Sequence, residues 1–263
     1  MKIDKNFITR SISGLLLVAV LLSGILLSDI SRFIVLTIIG VGGAYELLSI
    51  LEVESEKPPL KLFISTLAVA TAIMIYIETE TLLIISILSV AFILRFILQT
   101  FLKVSEPLKF LGYEIFSLVY AFLPMMLLFT LDGKLIIALL FLVWSNDVGA
   151  YVVGVTFGKS KLCERLSPKK SWEGYFGGIV CSMIIAIFIA RYFGQSPFLW
   201  TIIALFTANA AVIGDLFESM IKRSLGVKDS GNVIPGHGGM LDRFDALYFA
   251  TPIFYALYAL LIN

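Results

Sequence analysis

The chain has 263 residues, of which 59% are hydrophobic and only 15% are charged, and its net charge is +1. This balance lies outside the range of soluble globular domains and predicts an integral membrane protein. No nucleic acid partner is expected, because there is no soluble basic domain to hold one. The charged residues are clustered, so their positions carry the functional information.

Nine apolar stretches are long enough to cross about 30 Å of hydrocarbon as helices of about 20 residues each. In chain order they cover approximately 11–28, 33–52, 62–78, 81–102, 111–130, 135–157, 175–193, 198–221 and 245–262. The expected fold is therefore all-α: a polytopic integral membrane protein with about nine transmembrane helices, in a single domain over 1–263. The first stretch resembles a signal sequence, but it is long and has no convincing cleavage site, which predicts a retained helix.

The basic residues predict the orientation. With nine crossings and a cytoplasmic N-terminus, sixteen of the twenty Lys and Arg residues fall on the cytoplasmic side, and only Arg32, Lys134 and Arg191 fall on the other. This asymmetry follows the positive-inside rule. The two cysteines, Cys163 in a loop and Cys181 within a stretch, are expected to be reduced thiols.

Residues 1–130 carry few polar groups and are expected to form a helical scaffold. Glu46, Arg95 and Glu114 are exceptions, and each is expected to be paired or to extend toward an interface. Residues 131–263 form the expected catalytic part.

Polar residues enter the apolar stretches from residue 144 onward. The sixth stretch contains a polar cluster over 144–151, in which Gly149 is expected to loosen the helix. An ionised acid at the centre of a membrane helix costs about 3 kcal/mol, so Asp147 there and Asp215 in the eighth stretch need a partner or a water-filled cavity. The sequence therefore predicts a polar cavity, with both acids as candidate metal ligands.

Two cytoplasmic loops, 158–174 and 222–244, hold nine of the twenty basic residues and suit an anionic ligand. Candidate substrate-binding residues in them are Lys169, Lys170, Lys222, Arg223, Asp229 and Arg243. Lys228 and His237 are candidate catalytic residues. For the lysines and arginines the alternative is a purely topological role, and for His237 it is hydrogen bonding to the backbone of its own loop.

Asp242 and Asp245 are three residues apart, which puts both carboxylates on one helix face if the last helix begins at residue 241 or 242. Such a pair is a candidate for catalysis, with Asp242 as a metal ligand, because Mg²⁺ binds one or two carboxylates and completes its shell with water and phosphate oxygens. The alternative is that Asp242 is the N-cap of this helix and Asp245 stabilises its N-terminus, and a cap and a metal ligand are compatible.

One 27-residue segment resembles the signature of the phosphatidate cytidylyltransferase family, also called CDP-diacylglycerol synthases. The matching run is Ser219-x-Ile221-Lys222-Arg223-x₄-Lys228-Asp229-x-Gly231-x₂-Ile234-Pro235-x-His237-Gly238-Gly239-Met240-x-Asp242-Arg243-Phe244-Asp245. Two upstream segments, over 147–154 and 167–174, are also similar to family segments. The resemblance is strong over 144–245, and before residue 131 it is mainly one of hydrophobic profile.

The resemblance implies an enzyme that joins CTP and phosphatidate to give CDP-diacylglycerol and pyrophosphate, with Mg²⁺ required and a second cation left open. It also implies a homodimer. A multi-pass protein of the cell inner membrane is expected, with membrane lipids around it and the active site facing the cytoplasm; an organelle membrane is the alternative.

Two other classes fit less well. CDP-alcohol phosphotransferases carry an Asp-x-x-Asp-Gly-x-x-Ala-Arg run, whereas here Asp242 to Asp245 continues as Ala246-Leu247. An ion-coupled transporter would use Asp147 and Asp215 as cation sites, but it would not need the charged loop over 222–244.

Overall fold

The structure is a computed structural model of the chain, and it describes residues 5–51, 59–101, 106–236 and 238–262. Its elements are α1 (Lys5–Leu27), α2 (Asp29–Leu51), α3 (Pro59–Tyr76), α4 (Thr81–Phe101), α5 (Pro107–Ser117), a π-helical segment (Leu118–Phe122), α6 (Leu123–Phe129), α7 (Gly133–Phe157), β1 (Lys161–Cys163), β2 (Ser167–Ser171), α8 (Trp172–Phe193), α9 (Pro197–Ser224) and α10 (Leu241–Leu261). Helices dominate, as predicted.

Six helical segments in the described residues are long and apolar enough to cross a membrane. They are Asp29–Leu51, Pro107–Phe129, Gly133–Phe157, Trp172–Phe193, Pro197–Ser224 and Leu241–Leu261. Three shorter apolar segments, Ile12–Leu27, Ser65–Tyr76 and Thr81–Ile97, coincide with the other predicted stretches. A helix satisfies its backbone hydrogen bonds internally, which hydrocarbon requires. The chain therefore has the build of an all-α, multi-pass membrane protein.

Local sequence sets the helix ends near the site. Asp132 caps α7 by accepting a hydrogen bond from the Lys134 amide (2.8 Å), and Ser171 caps α8 by accepting one from the Gly174 amide (3.1 Å). The helix Pro107–Phe129 widens to π-helical hydrogen bonding just before Pro124, which has no N–H for the carbonyl four residues earlier.

Helices α7 to α10 pack in chain order, α7 on α8, α8 on α9 and α9 on α10. Small residues bring α7 and α8 together: a Cβ on Gly178 would lie 2.6 Å from the Asn146 carbonyl oxygen, and one on Gly149 would lie 2.6 Å from the Cys181 Cβ. The predicted loosening of the sixth stretch at Gly149 is wrong, because α7 runs unbroken from Gly133 to Phe157. Gly149 serves close helix packing instead.

The N-terminal helices carry one buried ion pair, as predicted. Arg95 on α4 donates to Glu114 on α5 at 2.8 Å, and both side chains are buried. Tyr248 on α10 donates to the Ile39 carbonyl oxygen on α2 (3.1 Å), so the last helix packs against the second. Both cysteines are free thiols, as expected.

Loop 158–174 contains a short antiparallel hairpin that the sequence did not predict. Strands β1 and β2 pair with Lys161 opposite Ser171 and Cys163 opposite Ser167. Glu173, in the first turn of α8, accepts hydrogen bonds from the amides of Lys159 and Ser160 and closes the base of the hairpin. Strand β2 has only five residues and contains Pro168, and proline is uncommon within strands, so the strand lacks the residue pattern by which strands are predicted.

Candidate active site

A cavity of about 550 Å³ lies between α7, the hairpin, α8 and α9. Its walls carry Asp147, Asp215 and three lysines, together with Tyr151, Tyr175 and several aliphatic side chains. The three lysines are Lys161, Lys169 and Lys170. The predicted polar cavity is therefore present, and it joins acids from two helices to the basic hairpin.

Asp215 forms an ion pair across this cavity. Its carboxylate lies 2.7 Å from the Lys170 ammonium on β2, and the two side chains are 39% and 28% exposed. The pair connects the middle of α9 to the hairpin and leaves both charges accessible. Asp147 lines the same cavity from α7, so two carboxylates face a volume that also holds basic groups.

A second, more buried cluster lies at the end of α9. The Lys222 ammonium is 2.5 Å from the Glu218 carboxylate and 2.6 Å from the Asp242 carboxylate at the start of α10. The three side chains are at most 10% exposed. A buried cation held by two carboxylates fixes the ends of α9 and α10 relative to each other.

Asp242 also organises the loop between α9 and α10. Its second oxygen accepts hydrogen bonds from the amides of Ser230 (2.9 Å) and Gly239 (2.8 Å). Gly238, at φ +85°, leaves no room for a side chain, because a Cβ there would lie 2.5 Å from that oxygen. Helix α10 begins at Leu241, so Asp242 and Asp245 share one face, as the spacing predicted. Asp242 is not the N-cap residue of α10, a position that Met240 occupies.

Asp245 interacts with members of both clusters. Its carboxylate accepts a hydrogen bond from the Ala246 amide (2.8 Å) and interacts electrostatically with Asp215, Lys222 and Lys170. Helices α9 and α10 approach closely at this point because Gly214 on α9 has no side chain. A Cβ on Gly214 would lie 2.7 Å from the Asp245 carbonyl oxygen. The acids and lysines of both clusters therefore act on one another.

The charged candidate residues outside these two clusters are exposed. Arg223 donates to the Val227 carbonyl oxygen (3.0 Å), which closes the C-terminal end of α9. Lys228, Asp229 and Arg243 are exposed and have no ion pair within the described part of the chain. His237 lies outside the described residues.

Two residues that contribute to the site were not predicted to do so. Lys161 reaches the cavity because the hairpin pairs it with Ser171. Glu46, on α2, accepts hydrogen bonds from the Ser230 hydroxyl (3.0 Å) and the Leu241 amide (2.8 Å). Its pairing was expected, but its partner was not, because the contact spans almost the whole chain. The signal in the sequence was an acid isolated within an apolar helix.

The described residues contain no group of three Asp, Glu, His or Cys side chains placed to hold a metal ion. Asp147, Asp215 and Asp242 are therefore not gathered into one metal cage. Asp147 and Asp215 do share the walls of one cavity, and carboxylate oxygens are the donors that Mg²⁺ takes. Since Mg²⁺ commonly uses only one or two carboxylates and keeps water or phosphate ligands, these two residues fit it.

A model of the cytidylyltransferase family matches residues 8–261. Among curated proteins, the chain is 47% identical over 121 residues to the phosphatidate cytidylyltransferase of Bacillus subtilis, covering 45% of each chain. It is 44% identical over 131 residues to that of Haemophilus influenzae, covering 47% of this chain and 45% of the relative. It is 42% identical over 152 residues to that of Pseudomonas aeruginosa, covering 56% of each.

The chain spans about half the length of the curated relatives it matches. The family resemblance of the charged signature is confirmed by the family match and by these relatives.

Proposed function

The chain belongs to the cytidylyltransferase family, and we propose that it is a phosphatidate cytidylyltransferase, which joins CTP and phosphatidate to give CDP-diacylglycerol and pyrophosphate. One observation carries the proposal. The ion pairs Asp215–Lys170 and Asp242–Lys222 both interact electrostatically with Asp245, and the first of them lines a cavity with three lysines. Such a site can neutralise several phosphate groups next to a lipid environment.

The reaction requires no protein nucleophile. A phosphate oxygen of phosphatidate attacks the α-phosphorus of CTP, a new P–O bond forms, and the bond from the α-phosphorus to the bridging oxygen breaks. The electron pair of that bond leaves with pyrophosphate. Because the attacking oxygen is already anionic, catalysis can rest on positioning and on charge neutralisation.

In this proposal the basic residues hold the substrates' phosphates. Lys169 and Lys170 bind from the hairpin, and Lys161 adds a third cation at the same cavity. Lys228 and Arg243 are exposed near the start of α10 and are available to the departing pyrophosphate or to the lipid phosphate. The proposed roles of Arg223 and Asp229 are substrate contacts from the same loop. His237 is proposed as a catalytic residue that donates to a phosphate oxygen or to the leaving group.

Lys222 has a different proposed role. Its ammonium is already held by Glu218 and Asp242, so it sets the position of Asp242 and adds positive charge behind it. Asp245 is proposed to couple this cluster to Asp215 electrostatically, because it interacts with both Lys222 and Asp215.

Mg²⁺ is proposed as the cofactor, held by Asp215 and Asp147 at the cavity, with Asp242 as a further candidate ligand. When bound, Mg²⁺ would offset the charge that develops on the phosphate oxygens. The protein's own contribution is to keep carboxylates and lysines at fixed positions on rigid helices.

We further propose nine membrane crossings with a cytoplasmic N-terminus, which puts the charged loops 158–174 and 222–244 on the cytoplasmic side, where CTP is found. Six helices of spanning length and three shorter apolar helical segments in the described residues support this count. The proposal includes the cell inner membrane as location, a homodimer as the assembly, 1–130 as the scaffold and 131–263 as the catalytic part.

The test is product formation by the purified full chain in detergent with phosphatidate, labelled CTP and Mg²⁺. Labelled CDP-diacylglycerol is expected from the wild-type protein and is expected to be lost in Asp215→Asn, which keeps the shape of the side chain but weakens its pairing with Lys170. A folded, lipid-supplemented protein that makes no product with phosphatidate would contradict the proposal.

A further inference from the structure

Glu46 connects the second helix to the loop at the far end of the sequence. Its side chain is buried, with 6% exposure, and its two hydrogen-bond partners are 184 and 195 residues away. One carboxylate oxygen accepts from both the Ser230 hydroxyl (3.0 Å) and the Leu241 amide (2.8 Å). Neither Glu46 nor Ser230 belongs to the charged signature residues.

Both partners of Glu46 are directly connected to Asp242. Ser230 uses its amide to donate to Asp242 and its hydroxyl to donate to Glu46. Leu241 precedes Asp242 in the chain and is the first residue of α10. Glu46 therefore fixes a hydrogen-bond donor of Asp242 and the backbone from which its side chain starts.

The loop is shaped around the Glu46 carboxylate. A Cβ on Gly231 would lie 2.8 Å from one of its oxygens, and a Cβ on Gly239 would overlap the other. Only glycine leaves space for the carboxylate at both positions. Gly239 is also the second amide donor to Asp242, so the two carboxylates are packed against the same short backbone segment.

Burying the Glu46 carboxylate costs folding free energy unless its charge is compensated. A buried charge is unfavourable without compensation, and no Lys or Arg pairs with Glu46 in the described part of the chain. Its compensation comes from the two donors to one oxygen and from the N-terminus of α10, where negative charge is stabilised; the other oxygen is buried and accepts no hydrogen bond from the described residues. This arrangement holds the start of α10 firmly, which is where Asp242 lies.

We propose that Glu46 is a positioning residue for the reaction: from the N-terminal scaffold it holds Ser230 and Leu241, and through them it fixes the Asp242 carboxylate. This inference rests on the proposed function for its catalytic consequence. Its structural consequence, fixed positions for Ser230 and Leu241, does not depend on which substrates bind.

The experiment compares Glu46→Ala and Glu46→Gln with the wild-type full chain. Glu114→Gln is the matched control, since Glu114 is also a buried glutamate of the N-terminal half but pairs with Arg95 on α4. Three quantities are measured for each protein: kcat and KM for CTP, the unfolding temperature, and backbone hydrogen exchange of peptides covering 225–240 and α7.

In Glu46→Ala, kcat is expected to fall on the order of 100-fold, the effect of a misplaced catalytic group, with a much smaller change in KM. Exchange should accelerate in 225–240 and stay unchanged in α7. Glu46→Gln should recover most of kcat, because its carbonyl oxygen can accept both hydrogen bonds that a single carboxylate oxygen accepts in the wild type. Glu114→Gln should lower the unfolding temperature and leave both kcat and exchange of 225–240 unchanged.

A double variant tests the route of the effect. Ser230→Ala removes the hydroxyl and keeps the amide that donates to Asp242, so Glu46→Ala combined with Ser230→Ala should lose less than the product of the two single losses. The positioning role would be overturned if the loss of kcat in the double variant equals the product of the two single losses. It would also be overturned if Glu46→Ala keeps wild-type exchange and kcat while the wild-type protein is active. If Glu46→Ala does not fold, Glu46→Met keeps the length of the side chain and removes both acceptor oxygens, and wild-type kcat and exchange in that variant overturn the positioning role equally. A folded wild type without activity would instead overturn the proposed function.

Discussion

Replacing Lys222 by Met is the most informative perturbation of the buried cluster. The Lys222 ammonium lies 2.5 Å from Glu218 and 2.6 Å from Asp242, and all three side chains are at most 10% exposed. Methionine has a similar length and no charge, so it fills the space but leaves two carboxylates without their cation. Breaking a buried ion pair from one side costs about 3–5 kcal/mol. Protein of this size loses about 2–4 °C of unfolding temperature per kcal/mol, so a fall of roughly 6–20 °C is expected.

The assay is thermal unfolding of the purified protein in detergent, followed by a tryptophan or thiol-reactive probe. The matched control is the double variant Lys222→Met with Glu218→Gln, which removes one of the two orphaned charges. Asp242 then keeps the amide donors Ser230 and Gly239, so the double variant should unfold at a higher temperature than Lys222→Met alone. A single variant as stable as the wild type, or a double variant less stable than the single one, would refute the reasoning.

Three further predictions concern packing, the loop and substrate binding. Gly178→Val should lower the unfolding temperature, because even a Cβ would lie 2.6 Å from the Asn146 carbonyl oxygen, whereas Gly112→Ala, with nothing within 4 Å of its Cβ, should not. Gly238→Ala should reduce product formation far more than Gly226→Ala: both glycines have positive φ, but only at Gly238 does a Cβ meet Asp242; equal losses would assign the effect to backbone strain alone. Lys228→Ala should raise KM for CTP or phosphatidate without changing the unfolding temperature, because the side chain is exposed and unpaired in the described structure; kinetics identical to wild type would leave Lys228 with a topological role.

The helical spans were predictable because hydrophobic length is a strong local signal. Each predicted stretch coincides with a helix or an apolar part of one, and the start of α10 at Leu241 confirms the shared face of Asp242 and Asp245. The cavity beside Asp147 was also predictable, since a charge inside an apolar helix requires a polar environment.

Long-range pairing was not predictable. Nothing local to Asp215 shows that its partner is Lys170. The helix spacing puts Lys222 beside Glu218, but nothing local shows that Lys222 also pairs with Asp242. These contacts depend on how helices pack, and packing is set by surfaces distant in sequence. The hairpin over 161–171 was missed because its strands are short, and Gly149 was misread because glycine weakens an isolated helix but also permits close packing of two.

The position of the label in the product tests the central claim most directly. The purified chain is incubated with phosphatidate, Mg²⁺ and CTP labelled at either the α- or the γ-phosphorus. We expect the α label in the lipid product and the γ label in pyrophosphate, with both signals lost in Asp215→Asn. Label from the γ position in the lipid, or CTP consumed without labelled lipid by a folded protein, would contradict attack of the lipid phosphate on the α-phosphorus.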